Sequence, residues 1–188
     1  ASSLIAGALL AYGLTIPEVF LVVGVLNALV TFYIFMLVPE YFLRFLSWLL
    51  SHLIYRFKVT NKQVIPSEGA VILTCNHVSF IDAVLLMAAS PRPIYYIMDH
   101  RIFKIPVLGW IFKLAKAIPI AAQKEDPVAY EKAFQQAAQV LRNGDVLAIF
   151  PEGAITRNGE LGEFKAGLLK ILQTAHADGL SVPVIPMG

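Results

Sequence analysis

Ala70-Val71-Ile72-Leu73-Thr74-Cys75-Asn76-His77-Val78-Ser79-Phe80-Ile81-Asp82-Ala83-Val84-Leu85-Leu86-Met87-Ala88-Ala89 passes from a β-rich run, through a short polar stretch, into a helix-like apolar run. A strand-to-helix junction is where loops carry chemistry on a rigid scaffold. The same alternation recurs outward from it. Strand-like runs are expected at residues 70–75, 94–98, 117–121, 145–150 and 182–186, with helix-like runs between them. The clearest helix is 127–142, with Asp126 as N-cap, Pro127 in its first position and Gly144 just past its end. Tyr130, Phe134, Ala137, Ala138 and Leu141 line one face of it. A second helix, 166–177, carries Leu168, Leu169, Ile171, Leu172 and Ala175 and closes at Gly179. Strands alternating with helices predict an α/β domain with a mostly parallel central sheet flanked by helices. Strands this uniformly apolar fit a sheet covered on both faces.

The polar stretch has two readings. Ser79 followed three residues later by Asp82, ahead of an apolar run, matches a capping box, and Asp82 suits the positive end of a helix. That leaves Asn76 and His77 unused. In the second reading His77 and Asp82 form a dyad: the carboxylate holds the imidazole in one tautomer, and His77 takes a proton from a hydroxyl or water. Spacing alone does not choose between them.

Composition points to lipid. Apolar residues make up 57% of the 188 and charged residues 15%, against roughly 25% charged in soluble proteins. The mean hydropathy is +0.68. Residues 17–38 contain a single charge, Glu18, and as a helix would be ~33 Å long, enough for the hydrocarbon core. A transmembrane helix is expected there. In residues 39–58, Glu40, Arg44, Ser47 and Ser51 form one narrow polar stripe, with Tyr41, Trp48 and Tyr55 as interface-seeking aromatics. That suits a helix lying in the membrane surface, or equally one packed on the domain. The expected division is a membrane segment, 1–58, and a catalytic domain, 59–188. Arg44, Arg56, Lys58 and Lys62 follow the span, which puts the domain on the cytoplasmic side of a cytoplasmic membrane. Both ends look cut from something longer, and no basic region precedes the apolar start as a signal peptide would require. The single Cys75 excludes an internal disulfide and reads as a small core residue. His52, His77, His100 and His176 show no ligand spacing, so neither metal nor cofactor is expected. Basic residues are scattered, which argues against nucleic acid.

A second constellation lies at Asp145-Val146-Leu147-Ala148-Ile149-Phe150-Pro151-Glu152-Gly153. A buried strand ending this way presents a carboxylate and a glycine at the carboxyl edge of the sheet, where open α/β sheets bind ligands. Here the chain resembles the phospholipid/glycerol acyltransferases, the PlsC-like family. Asn76 to Asp82 matches the family's N-H-x-S-x-x-D block, and Phe150 to Gly153 its F-P-E-G block. Val182-Pro183-Val184-Ile185-Pro186 matches its V-P-V-x-P strand, and Ile105 to Ile120 is similar to its second block. The resemblance covers about residues 55–188. The N-terminal segment resembles the last spans of a major-facilitator lysophospholipid transporter, a partner known fused to such domains.

The resemblance implies transfer of an acyl chain from a thioester, on coenzyme A or acyl carrier protein, to a glycerol hydroxyl. His77 would be the base and Asp82 its orienting acid, with no nucleophilic Ser79 or Cys75. Glu152 and Gly153 would help position the acceptor, and Arg101, Lys124, Arg157 and Lys165 are the candidate phosphate contacts. The family's lysophosphatidate enzymes often carry Arg two residues after F-P-E-G; here that residue is Ile155. The run from Phe150 to Leu161 is closer to the acyltransferase half of an acyltransferase/acyl-carrier-protein synthetase. The expected acceptor is therefore a lysophospholipid, with lysophosphatidate as the alternative. A hydrolase using the same dyad, and a non-catalytic transporter appendage, remain open.

Overall fold

The computed structural model describes residues 2–156 and 158–188. They divide into two compact units, one reaching to Pro39 and one running Glu40–Gly188. The first holds α1 (Ser2–Ala11) and α2 (Ile16–Leu37). α2 is long and apolar enough to cross a membrane. Its start is set by a capping box between Thr15 and Glu18, so the one charge of this segment is a cap.

The second unit begins with α3 (Pro39–Tyr55), which stops short of the expected residue 58 because Arg56 turns to a φ of 47°. The polar stripe of α3 faces inward. Ser51 is 1% exposed, and Ser47 is buried with its hydroxyl 3.2 Å from the Met87 sulfur. Arg44 donates to the Pro91 carbonyl at 2.8 Å, and Glu40 pairs with Lys116 at 3.0 Å. Tyr41, Phe45, Trp48, Leu53 and Ile54 are left exposed on the other side. The helix is thus apolar outward, the reverse of a soluble surface helix.

The sheet comprises β1 (Val71–Cys75), β2 (Ile94–Asp99), β3 (Ile118–Ile120), β4 (Val146–Ile149) and β5 (Val184–Met187). Their order is β3-β2-β4-β1-β5, and every pairing is parallel. Between them lie α4 (Asp82–Ala89), α5 (Leu108–Leu114), α6 (Pro127–Arg142) and α7 (Gly167–Ala177). Strand residues alternate between two cores. Val71, Leu73, Val146 and Ala148 pack with Leu86 of α4. Ile72 and Leu147 pack with Phe134, Ala137 and Leu141 of α6 and Ile171 and Ala175 of α7. Both faces are therefore covered, as the apolar strands require. α6 begins as read, with the Asp126 carboxylate accepting from Ala129 N–H at 2.9 Å. Leu169 departs from expectation: it is exposed, one residue off the buried face made by Leu168, Ile171, Leu172 and Ala175.

The strand order positions the site. β1 leads across β4 to β2 on the α4 face, and β4 leads across β1 to β5 on the α7 face. The chain thus leaves two adjacent strands toward opposite faces, which opens a crevice at their carboxyl ends.

Candidate active site

Thr74 of β1 pairs with Ile149 of β4. Three residues further along each strand come His77 and Glu152, so parallel register alone brings the two loops level. His77 N–H donates to Glu152 Oε1 at 3.0 Å.

The imidazole is held by Asp82. His77 Nδ1 lies 3.0 Å from Asp82 Oδ2. The same oxygen accepts from Val78 N–H at 2.9 Å and Ser79 N–H at 2.8 Å. One carboxylate oxygen thus meets the geometry of both readings, lying against the imidazole and accepting from two backbone N–H groups ahead of the helix. The Asp82 bond to Ser79 N–H is the acidic half of a capping box, although the helix proper starts at Asp82 and Ser79 Oγ accepts from Ile81 N–H at 3.3 Å. Because an ionised carboxylate only accepts, Nδ1 carries the proton and the lone pair of a neutral ring is on Nε2. Nε2 has no hydrogen-bond partner among the described residues.

The rest of His77 is held by the β4 loop. The Phe150 ring stacks on the imidazole with centroids 4.1 Å apart and planes 17° apart. Thr156 N–H donates to the His77 carbonyl at 2.8 Å. Glu152 is only 5% exposed, and its second oxygen accepts from Gly162 N–H at 3.1 Å. Phe150, Thr156 and Gly162 were given no role by the sequence. Phe150 and Thr156 lie within the motif run and could have been suspected; Gly162 carries no signal of its own.

Gly153 has a φ of +66°, where a side chain would be strained, and a Cβ there would sit 2.9 Å from Lys165 Nζ. The Lys165 side chain therefore lies over the turn after β4, and the Lys165 backbone N–H donates to the Pro151 carbonyl at 2.8 Å. Arg101 and Lys124 follow β2 and β3, at the same edge of the sheet but on the far strands. Arg101 is engaged there by Glu125 at 2.8 Å and Asp99 at 3.8 Å. Hydrogen bonding to Arg101 holds the Glu125 carboxyl below its usual range. Lys124 is exposed, and Arg157 lies outside the described residues. The structure thus brings together His77, Asp82, Glu152, Gly153 and Lys165, and does not bring Arg101 to them. Cys75 is half-buried beneath the dyad. Burial, and then the charges of Asp82 and Glu152, push its thiol up to about 11, so it stays protonated and is a poor nucleophile.

Known proteins share this arrangement of sequence. The chain is 27% identical over 135 residues to the chloroplastic 1-acyl-sn-glycerol-3-phosphate acyltransferase of Arabidopsis thaliana, covering 71% of this chain and 36% of that one. It is 26% identical over 130 residues to the 1-acyl-sn-glycerol-3-phosphate acyltransferase of Bacillus subtilis, covering 69% and 60%. To the enzyme of that name from Pseudomonas aeruginosa it is 30% identical over 146 residues, covering 77% and 53%. The alignments thus span between about a third and three fifths of these relatives. The fold resembles the crystal structure of the 1-acyl-sn-glycerophosphate acyltransferase PlsC from Thermotoga maritima, with a TM-score of 0.51 at 23% identity, covering 65% of this chain and 46% of that one. The Acyltransferase family model matches residues 56–188, both edge-of-sheet blocks included, and the chain belongs to that family.

Proposed function

We propose that this chain carries the transfer site of a membrane-bound glycerolipid O-acyltransferase. It moves an acyl chain from a thioester on coenzyme A or acyl carrier protein to the free glycerol hydroxyl of 1-acyl-glycerol-3-phosphate. The observation that carries the reading is His77: Nδ1, ring face, N–H and carbonyl are all held, and Nε2 is left open. Nε2 takes the hydroxyl proton as the oxygen attacks the thioester carbonyl, and the imidazolium is stabilised by Asp82. When the tetrahedral intermediate collapses, the C–S bond breaks and Nε2 returns the proton to the thiolate. Ester and thiol leave, and no covalent enzyme intermediate is needed.

The acceptor reverses the expectation from sequence, which put a lysophospholipid first because Ile155 replaces an Arg. The relatives described above are all named for 1-acyl-sn-glycerol-3-phosphate. Lys165, beside Gly153, offers a cation next to the turn where that Arg is missing. Ile155 still favours a second reading, an acceptor whose phosphate carries a headgroup. Acyl transfer from a labelled thioester to lysophosphatidate and to lysophosphatidylethanolamine in parallel separates the two. Absence of transfer to both would sink the proposal.

The membrane arrangement belongs to the same proposal. α2 spans a cytoplasmic membrane, and α3 lies in its surface with the polar stripe on the domain and Phe45, Trp48 and Leu53 in lipid. The site then faces acceptors in the cytoplasmic leaflet. Protease shaving of sealed vesicles tests the sidedness: the 59–188 domain should be cleaved only in inside-out vesicles.

A further inference from the structure

We propose that Glu152 is a positioning residue for His77 and not a ligand of the acceptor; this rests on the acyl-transfer reading above. A carboxylate that binds a substrate hydroxyl needs an oxygen open to the crevice. Glu152 is buried, and its two oxygens face backbone N–H groups on opposite sides, His77 at 3.0 Å and Gly162 at 3.1 Å. It has no cationic partner within ion-pair distance among the described residues. Hydrogen bonds to an ionised acceptor are the strong kind, so this carboxylate ties the β1–α4 loop to the β4–α7 loop at the level of the base.

The consequence for catalysis is geometric. Asp82 and Phe150 fix the ring, but where Nε2 lies also depends on where the His77 backbone lies. Glu152 fixes that backbone from the N–H side while Thr156 fixes it from the carbonyl side. A shift of about 1 Å in a reacting group costs about a hundredfold in rate. Glu152 thus acts on the backbone that carries the ring.

Gly162 supplies an independent handle. A Cβ there would meet Glu152 Oε2 at 2.9 Å and its Cγ at 3.4 Å. Gly162→Ala therefore displaces the carboxylate while keeping its charge, and Glu152→Gln removes the charge while keeping its size.

The test uses the full chain in detergent, with 1-acyl-glycerol-3-phosphate as acceptor. Both variants should lower kcat by about tenfold to a hundredfold and leave the acceptor KM within about twofold. A raised acceptor KM with kcat retained in Glu152→Gln would make Glu152 an acceptor ligand and overturn the inference. A second measurement needs no turnover. The His77 amide resonance of 15N-labelled wild type should move in both variants, with the circular dichroism spectrum unchanged. An unmoved resonance in Glu152→Gln also overturns it. If wild type transfers no acyl chain at all, the proposed function fails, and the resonance alone decides whether Glu152 holds His77.

Discussion

The carboxyl edge of the sheet has two mouths of similar composition and different character. At β1 and β4, His77, Asp82 and Glu152 are buried or half-buried, and the two carboxylates are held by backbone N–H groups: Asp82 by Val78 and Ser79, Glu152 by His77 and Gly162. At β2 and β3 they are mostly exposed and pair with one another, as Arg101 and His100 do with Glu125. A carboxylate gripped by backbone donors has one position, whereas an exposed ion pair has several of nearly equal energy. Only the first kind can hold a base to the tolerance that proton transfer requires.

The largest expected effect comes from removing the proposed base. His77→Ala should lower acyl transfer by at least about 10²–10⁴-fold, with an unchanged circular dichroism spectrum. Comparable activity in wild type and variant would erase the functional difference between the mouths.

Asp82→Ala should be both inactive and less stable. It strips the acceptor from two backbone N–H groups and the imidazole, at about 1–3 kcal/mol for an orphaned buried donor, read from urea unfolding. Asp82→Asn keeps an oxygen for those donors, so it should recover most of the stability and little of the activity. That split separates the cap from the dyad. Next in size is Lys165→Ala, for which we expect an acceptor KM raised by about tenfold for a bare phosphate monoester, the worth of one charge-assisted hydrogen bond, with kcat little changed.

Smaller effects sharpen the contrast. Alkylation of Cys75 by iodoacetamide should climb with pH up to about 11, where an unperturbed thiol levels off at about 8.5. The sign follows from the cause: burial and two neighbouring carboxylates disfavour the thiolate. Arg101→Ala should leave both unfolding midpoint and acyl transfer within experimental scatter. A raised acceptor KM in that variant would show that the β2 mouth takes part after all.

The fold was legible because its signals are local. Five apolar strand runs, the Asp126–Pro127 start and the Gly144 stop of α6 are each set by neighbours in sequence. The orientation of α3 was not, because a narrow polar stripe on an apolar helix has two solutions, and only burial of Ser47 and Ser51 against the domain selects one. Leu169 was misplaced for a related reason: a run of apolar residues does not say where the buried arc ends. At the site, the His77 and Asp82 pair was legible as a possibility within one stretch. The grip of Phe150, Glu152 and Thr156 on His77 was not, since it spans about 75 residues and depends on which strands are neighbours.

By itself the sequence determined the alternation of strands and helices, the family blocks, and the closeness of an imidazole to a carboxylate five residues on. Tertiary structure decided what those groups touch. β4 lies beside β1 with Ile149 level with Thr74, so Glu152 meets the backbone of His77. β3 lies at the outer edge, and Lys124 goes with it. The physical reason is that hydrophobic patterning specifies which face of a strand is buried, while the order of strands is set by how the crossovers pack, and side-chain chemistry at a sheet edge depends on that order.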